Sequence, residues 1–177
     1  MRVLLFFFTV AFFSSASGQD YCKLIKKEVS QDKKILDYSS PPDAQEVTTI
    51  RVTRSINQDP DYESDNFFMI FSIVGDIDNI YSKTAGGEQI EKEEYKLVVE
   101  FDDKSKVVDD TIRIGHDFTS DKMQSVRSVY FALTDPTIKE FSTKKITKFS
   151  LAGYEKTYPA DSANAIMHYV QCMKAVK

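Results

Sequence analysis

Two cysteines are the residues whose chemistry is simplest to name. Cys22 and Cys172 stand near opposite ends of a 177-residue chain that holds no others. In an exported protein an even count reads as one disulfide, with two separate buried thiols as the alternative. A bond between them encloses nearly the whole fold. The loop-entropy account gives such a bond roughly 4–5 kcal/mol at most.

A second candidate is the acidic loop that carries Asp59, Asp61, Glu63 and Asp65 at alternate positions. Calcium takes several oxygen ligands, and a loop supplies them at such spacing. The glycine of a helix–loop–helix calcium site is missing, however, and Ile70 stands where the closing glutamate belongs. The plainer reading is a solvated loop between two apolar strands.

The remaining candidates are weaker in pattern. His116 and Asp117 follow Gly115 near a strand end, and His168 lies far away in sequence. The two histidines make no zinc pattern. Neither a nucleophile elbow, a phosphate-binding loop nor a zinc-protease helix motif occurs. The pairs Asp102-Asp103 and Asp109-Asp110 flank one hairpin, but neighbouring strand residues face opposite ways. Turn chemistry and edge protection account for them. No catalytic residue, metal or cofactor is therefore assigned.

The chain begins with Met1-Arg2, an apolar run Val3–Phe13, and small residues through Gly18. That is the layout of a secretory signal peptide cut after Gly18. The apolar run is short for a membrane span, so no transmembrane segment is expected in the mature chain. Residues 19–177 then form a single domain, large enough for a true core. The net charge is −4. A mildly acidic surface argues against nucleic acid as a partner.

The elements that must position these residues read mostly as strands. Tyr21–Ser30 and Ile35–Tyr38 precede a break at Ser39–Asp43. Val47–Ile56 alternates, with Ile50, Val52 and Ile56 on one face. Asn66–Val74 is short and apolar, which predicts a central strand buried on both faces. Ile90–Phe101 and Val107–Ile114 flank a turn at Asp102–Ser105, and Gly115–Gln124 reads as a polar loop. After Val126–Thr134, Asp135-Pro136 opens a short helix. Lys145–Leu151 and an edge strand Tyr154–Tyr158 follow. The chain closes with a helix that Asp161 is expected to cap. Ile166, Tyr169, Val170, Met173 and Val176 give it one apolar stripe, with Cys172 beside it.

The stretch Ser142–Leu151 (STKKITKFSL), followed by the Cys172 helix, resembles a group of small secreted proteins of Bacteroidetes-type bacteria. They share the order of signal peptide, early cysteine, antiparallel strands, hairpin and closing helix. The resemblance implies export and a style of fold, and no activity or site residues. The fold class is thus α+β: mainly antiparallel β, as a curved sheet or β-sandwich, with one C-terminal helix packed on it. The expected function is a non-enzymatic binding or interaction domain, periplasmic or secreted, for an unknown protein partner. The alternative is a carrier of a small apolar ligand in a β-sheet cavity. A hydrolase built on His116 ranks third.

Overall fold

A computed structural model describes residues 20–45, 48–74, 96–118, 125–151 and 154–176. The expected signal peptide, residues 1–18, lies outside them. So do Ile80-Tyr81, the Gly86-Gly87 turn and the first half of the predicted strand Ile90–Phe101.

The described strands form two antiparallel sheets. The larger contains β1 (Lys26–Val29), β2 (Ile35–Ser39), β3 (Asp43–Gln45), β4 (Thr48–Asn57), β5 (Ser64–Val74), β8 (Ile114–Phe118) and β9 (Ser125–Ala132). Its order is β1-β2-β4-β5-β9-β8, and β3 pairs with the first residues of β4. The smaller runs β11 (Tyr154–Thr157), β10 (Ile146–Leu151), β6 (Leu97–Phe101), β7 (Lys106–Asp109). Two helices complete the fold: α1 (Asp135–Thr143) and α2 (Ala160–Lys174). The architecture is the predicted one, an antiparallel β protein with a C-terminal helix packed on it. The sheets are open and do not close into a barrel.

Period-two alternation builds the core. Ile50 and Val52 on β4, Met69 and Phe71 on β5, and Val129 and Phe131 on β9 all turn inward. They meet Leu97, Val99, Phe101, Phe149 and Leu151 of the smaller sheet in one cluster. Phe71 lies 5.4 Å from Phe149, ring centre to ring centre, so the sheets touch directly. Phe141 of α1 contacts Phe101 at 5.1 Å and Phe131 at 5.8 Å, one ring from each sheet. Aromatic pairs at these separations add to the gain from area burial. α2 packs on β4 of one sheet and β10 of the other. Its stripe is buried as expected: Ile166, Tyr169, Val170 and Met173 are all at or below 6% exposed.

Several elements differ from the sequence-based expectation. Tyr21–Leu24 is a 3-10 turn rather than the start of a strand, and β1 begins only at Lys26. The turn follows from its tether, since Cys22 is bonded to α2. β5 is fully buried on one face only; Phe68 and Ile70 on the other face are half-buried. β7 stops at Asp109, whose carboxylate accepts from the Thr111 amide and closes a turn. Residues 115–118, expected as part of a loop, join Ile114, expected as the end of the preceding strand, in β8, because β9 offers them an edge. α2 starts at Ala160 with Pro159 as its cap residue, so Asp161 sits in the first turn, where the helix dipole favours a carboxylate.

Candidate functional site

The closing helix gathers most of the chemistry. Cys172 is bonded to Cys22, with the two Cα atoms 5.4 Å apart across a sequence separation of 150. The bond lies at the seam between α2 and the N-terminal 3-10 turn. Tyr21 stacks on His168 at 4.9 Å and meets the edge of Tyr169 at 5.7 Å. A hollow of about 440 Å³ beside the bond is lined by Tyr21, His168, Asn164 and both cysteines.

His168 is tied into this packing. Its Nδ1 is 2.9 Å from Gln171 Oε1, and Gln171 Nε2 donates to the Ser142 carbonyl at 2.7 Å. Because Nε2 of that amide is the donor to Ser142, its Oε1 is the atom that faces His168 Nδ1. The chain of contacts runs from the N-terminal turn through α2 to the end of α1. It is a structural strut. His116 lies on β8, opposite Arg127 on β9, and only its backbone is described.

The acidic loop does not assemble into a metal site. Asp59 accepts from Lys34 Nζ at 2.6 Å and from the Asp61 amide at 3.1 Å. Asp65 is bound to Arg54, while Asp61 and Glu63 are exposed. Among the described residues no group of three or more His, Cys, Asp or Glu converges. Lys34 holds the Asp59 carboxyl below its ordinary value, and Arg54 does the same for Asp65. Two of the four carboxylates are thus satisfied by cations of their own chain.

The carboxylates of the β6–β7 hairpin serve its turn. Asp103 accepts from the Ser105 amide at 2.9 Å and from Lys144 at 2.8 Å. Lys144 also pairs with Glu140, and so ties the turn to the end of α1. Hydrogen bonds from Lys144 and then Ser105 hold the Asp103 carboxyl down to about 2. Asp102 accepts from the Lys145 amide at 3.2 Å. Lys104 adopts a φ of 69°, the left-handed conformation that such a turn requires.

Arg54 is the residue that sequence reasoning passed over. It sits in β4 on the same face as Ile50 and Val52, an arginine facing inward. Its Nε and Nη2 donate to the two Asp65 oxygens at 2.8 and 2.6 Å. Its Nη1 donates to the carbonyls of Met173 and Val176 at 2.5 and 2.9 Å. These carbonyls lie at and just beyond the C-terminal end of α2, where a cation is favoured. The period-two count on Val47–Ile56 already places Arg54 on the apolar face, and that was the available signal.

Next to Arg54 a cleft of about 720 Å³ opens between α1 and the C-terminal end of α2. Phe67, Leu133 and Ile138 supply its apolar wall, and Lys139 and Lys174 stand at its two sides. Elsewhere the outer strands of both sheets have a neighbour on one side only among the described strands. β11 hydrogen-bonds β10 on one side, and its other side is an edge. No family model, no curated protein and no solved structure matches this chain.

Proposed function

We propose that this protein is an exported, non-enzymatic interaction module that accepts an extended segment of a partner protein along β11. The observation that carries this reading is the open edge of β11. Among the described strands β11 pairs only with β10, and its outer edge offers amide and carbonyl groups for a further strand. The Cys22–Cys172 bond supports a home in an oxidising compartment, as does the predicted leader. Among the described residues no helix is long and apolar enough to cross a membrane.

Charge on β11 favours a foreign strand over a second copy. Symmetric antiparallel self-pairing sets one residue opposite its own twin. Centred on Glu155 or on Lys156, it opposes like charges, which destabilises a pair. A partner segment with the reverse order of charges meets no such penalty.

Site-specific photo-crosslinking in producing cells tests the reading. A crosslinker at Glu155 is expected to capture a distinct partner that the same group at Tyr62, 76% exposed on a remote loop, does not. Capture at neither position, or equally at both, would refute it.

A further inference from the structure

The cleft beside Arg54 has properties that packing alone does not require. Its volume of about 720 Å³ falls in the range of small-molecule sites. Phe67 and Leu133, each 7% exposed, form its base, and half-buried Ile138 forms part of its wall. Three cations and two carboxylates line it. The guanidinium of Arg54 is spent on Asp65 and on the end of α2. Asp135 lies in the first turn of α1, where the helix dipole accommodates its charge. That leaves Lys139 on α1 and Lys174 on α2, exposed cations that make no ion pair among the described residues.

A surface lysine by itself is ordinary. Two lysines from different helices beside one apolar wall are a more specific arrangement. An apolar ligand without charge would leave both cations unused. A compact anion without an apolar body would leave the wall of Phe67, Leu133 and Ile138 wet. We propose that this cleft binds a small amphipathic carboxylate, its apolar body against Phe67, Leu133 and Ile138 and its carboxylate between Lys139 and Lys174. The ligand lies on the outside of the two-sheet core, at the seam of helices and sheet. The sheets therefore need not part to admit it, and their interior stays filled by Phe71 and Phe149. The inference is independent of the β11 edge, which belongs to the other sheet.

The test titrates the disulfide-bonded chain with dodecanoate below its micelle concentration, by calorimetry and by methyl NMR. Dodecyltrimethylammonium, with the same tail and the opposite charge, is titrated beside it. Dodecanoate is expected to bind at one site, to shift the methyl signals of Leu133 and Ile138, and to bind about tenfold tighter than the ammonium. The double variant Lys139→Gln, Lys174→Gln keeps its fold, because both side chains are exposed. It is expected to bind dodecanoate about tenfold more weakly and to lose the preference between head groups. Equal binding of the two amphiphiles, shifts that map to other methyls, an unchanged affinity in the double variant, or no binding at about 1 mM ligand would each overturn the proposal.

Discussion

Removal of the Cys22–Cys172 bond should lower global stability by a large amount while loosening only a small part of the native fold. With a sequence separation of 150 between the bonded positions, the chain-entropy account gives about 5 kcal/mol of stabilisation, all of it exerted on the unfolded chain. Native proteins commonly realise about 2–5 kcal/mol of such a figure. For a domain of this size each kcal/mol moves the midpoint by about 2–4 °C, so a fall of at least about 4 °C is expected. The native state responds differently. All four residues of β1 are exposed, and the 3-10 turn buries none of its residues. Apart from the ring contacts of Tyr21 and the packing of half-buried Ile25 on the core, the segment 20–29 is held mainly by β2 and by the bond itself. In a Cys22→Ser, Cys172→Ser variant, amide exchange in β1 should therefore speed up well before exchange in β5. Calorimetry and hydrogen exchange of the variant, beside the oxidised protein, measure both effects. A midpoint within about 2 °C of the oxidised form would refute the entropic argument. Equal loss of protection in β1 and β5 would refute the claim that the tether is local in the native state.

Three further outcomes follow from the geometry. Phe149→Ala removes a fully buried ring that touches Phe71 and Tyr158, and should cost about 3–5 kcal/mol in urea unfolding, with Phe149→Leu costing far less. Arg54→Ala strips the cation from the end of α2, removes its hydrogen bonds to the Met173 and Val176 carbonyls and leaves Asp65 without its partner; a loss of about 2–3 kcal/mol is expected, with faster amide exchange in the last turn of α2. The carboxyls of Asp103 and Asp65 are held below their ordinary values by Lys144 and Arg54, so the contribution of each is present above the unfolded value of 3.8 and is lost as pH falls through the lowered folded value, about 2 for Asp103. In Lys144→Met, carbon NMR should find Asp103 titrating closer to 3.8 than to 2, and an unmoved titration would show that the turn alone depresses it.

The parts of the fold legible in the sequence are those written in short-range periodicity. The strands around Ile50, Val99 and Val129 could be read because alternate residues are apolar and the core takes one face of each, and β5 because Asn66–Val74 is a short continuous apolar run. The stripe of α2 was legible for the same reason at the helical period. Even the disulfide was, since the signals for it are a count of two cysteines and an expected leader. What could not be read depends on neighbours distant in sequence. The stretch Ile114–Phe118, with its glycine, histidine and aspartate, has little strand character of its own, and only the edge of β9 makes it β8. Tyr21–Leu24 carries a strand-like composition, and the bond to α2 bends it into a turn.

Arg54 shows where the boundary between the two lies. Its inward position is a local fact, available from alternation on β4 alone. An arginine on a buried strand face must find anionic or carbonyl partners, because an unpaired buried charge is too costly to keep. The need for partners was therefore legible, and only their identity was not. Asp65 stands 11 residues away and pairs across the β4–β5 hairpin, within reach of local reasoning. Met173 stands 119 residues away, brought there by the packing of α2 across both sheets. The same packing creates the cleft, since Phe67 comes from β5, Ile138 from α1 and Lys174 from the end of α2. A misplaced polar residue in an otherwise regular strand was thus the one local sign of a feature assembled from four distant segments.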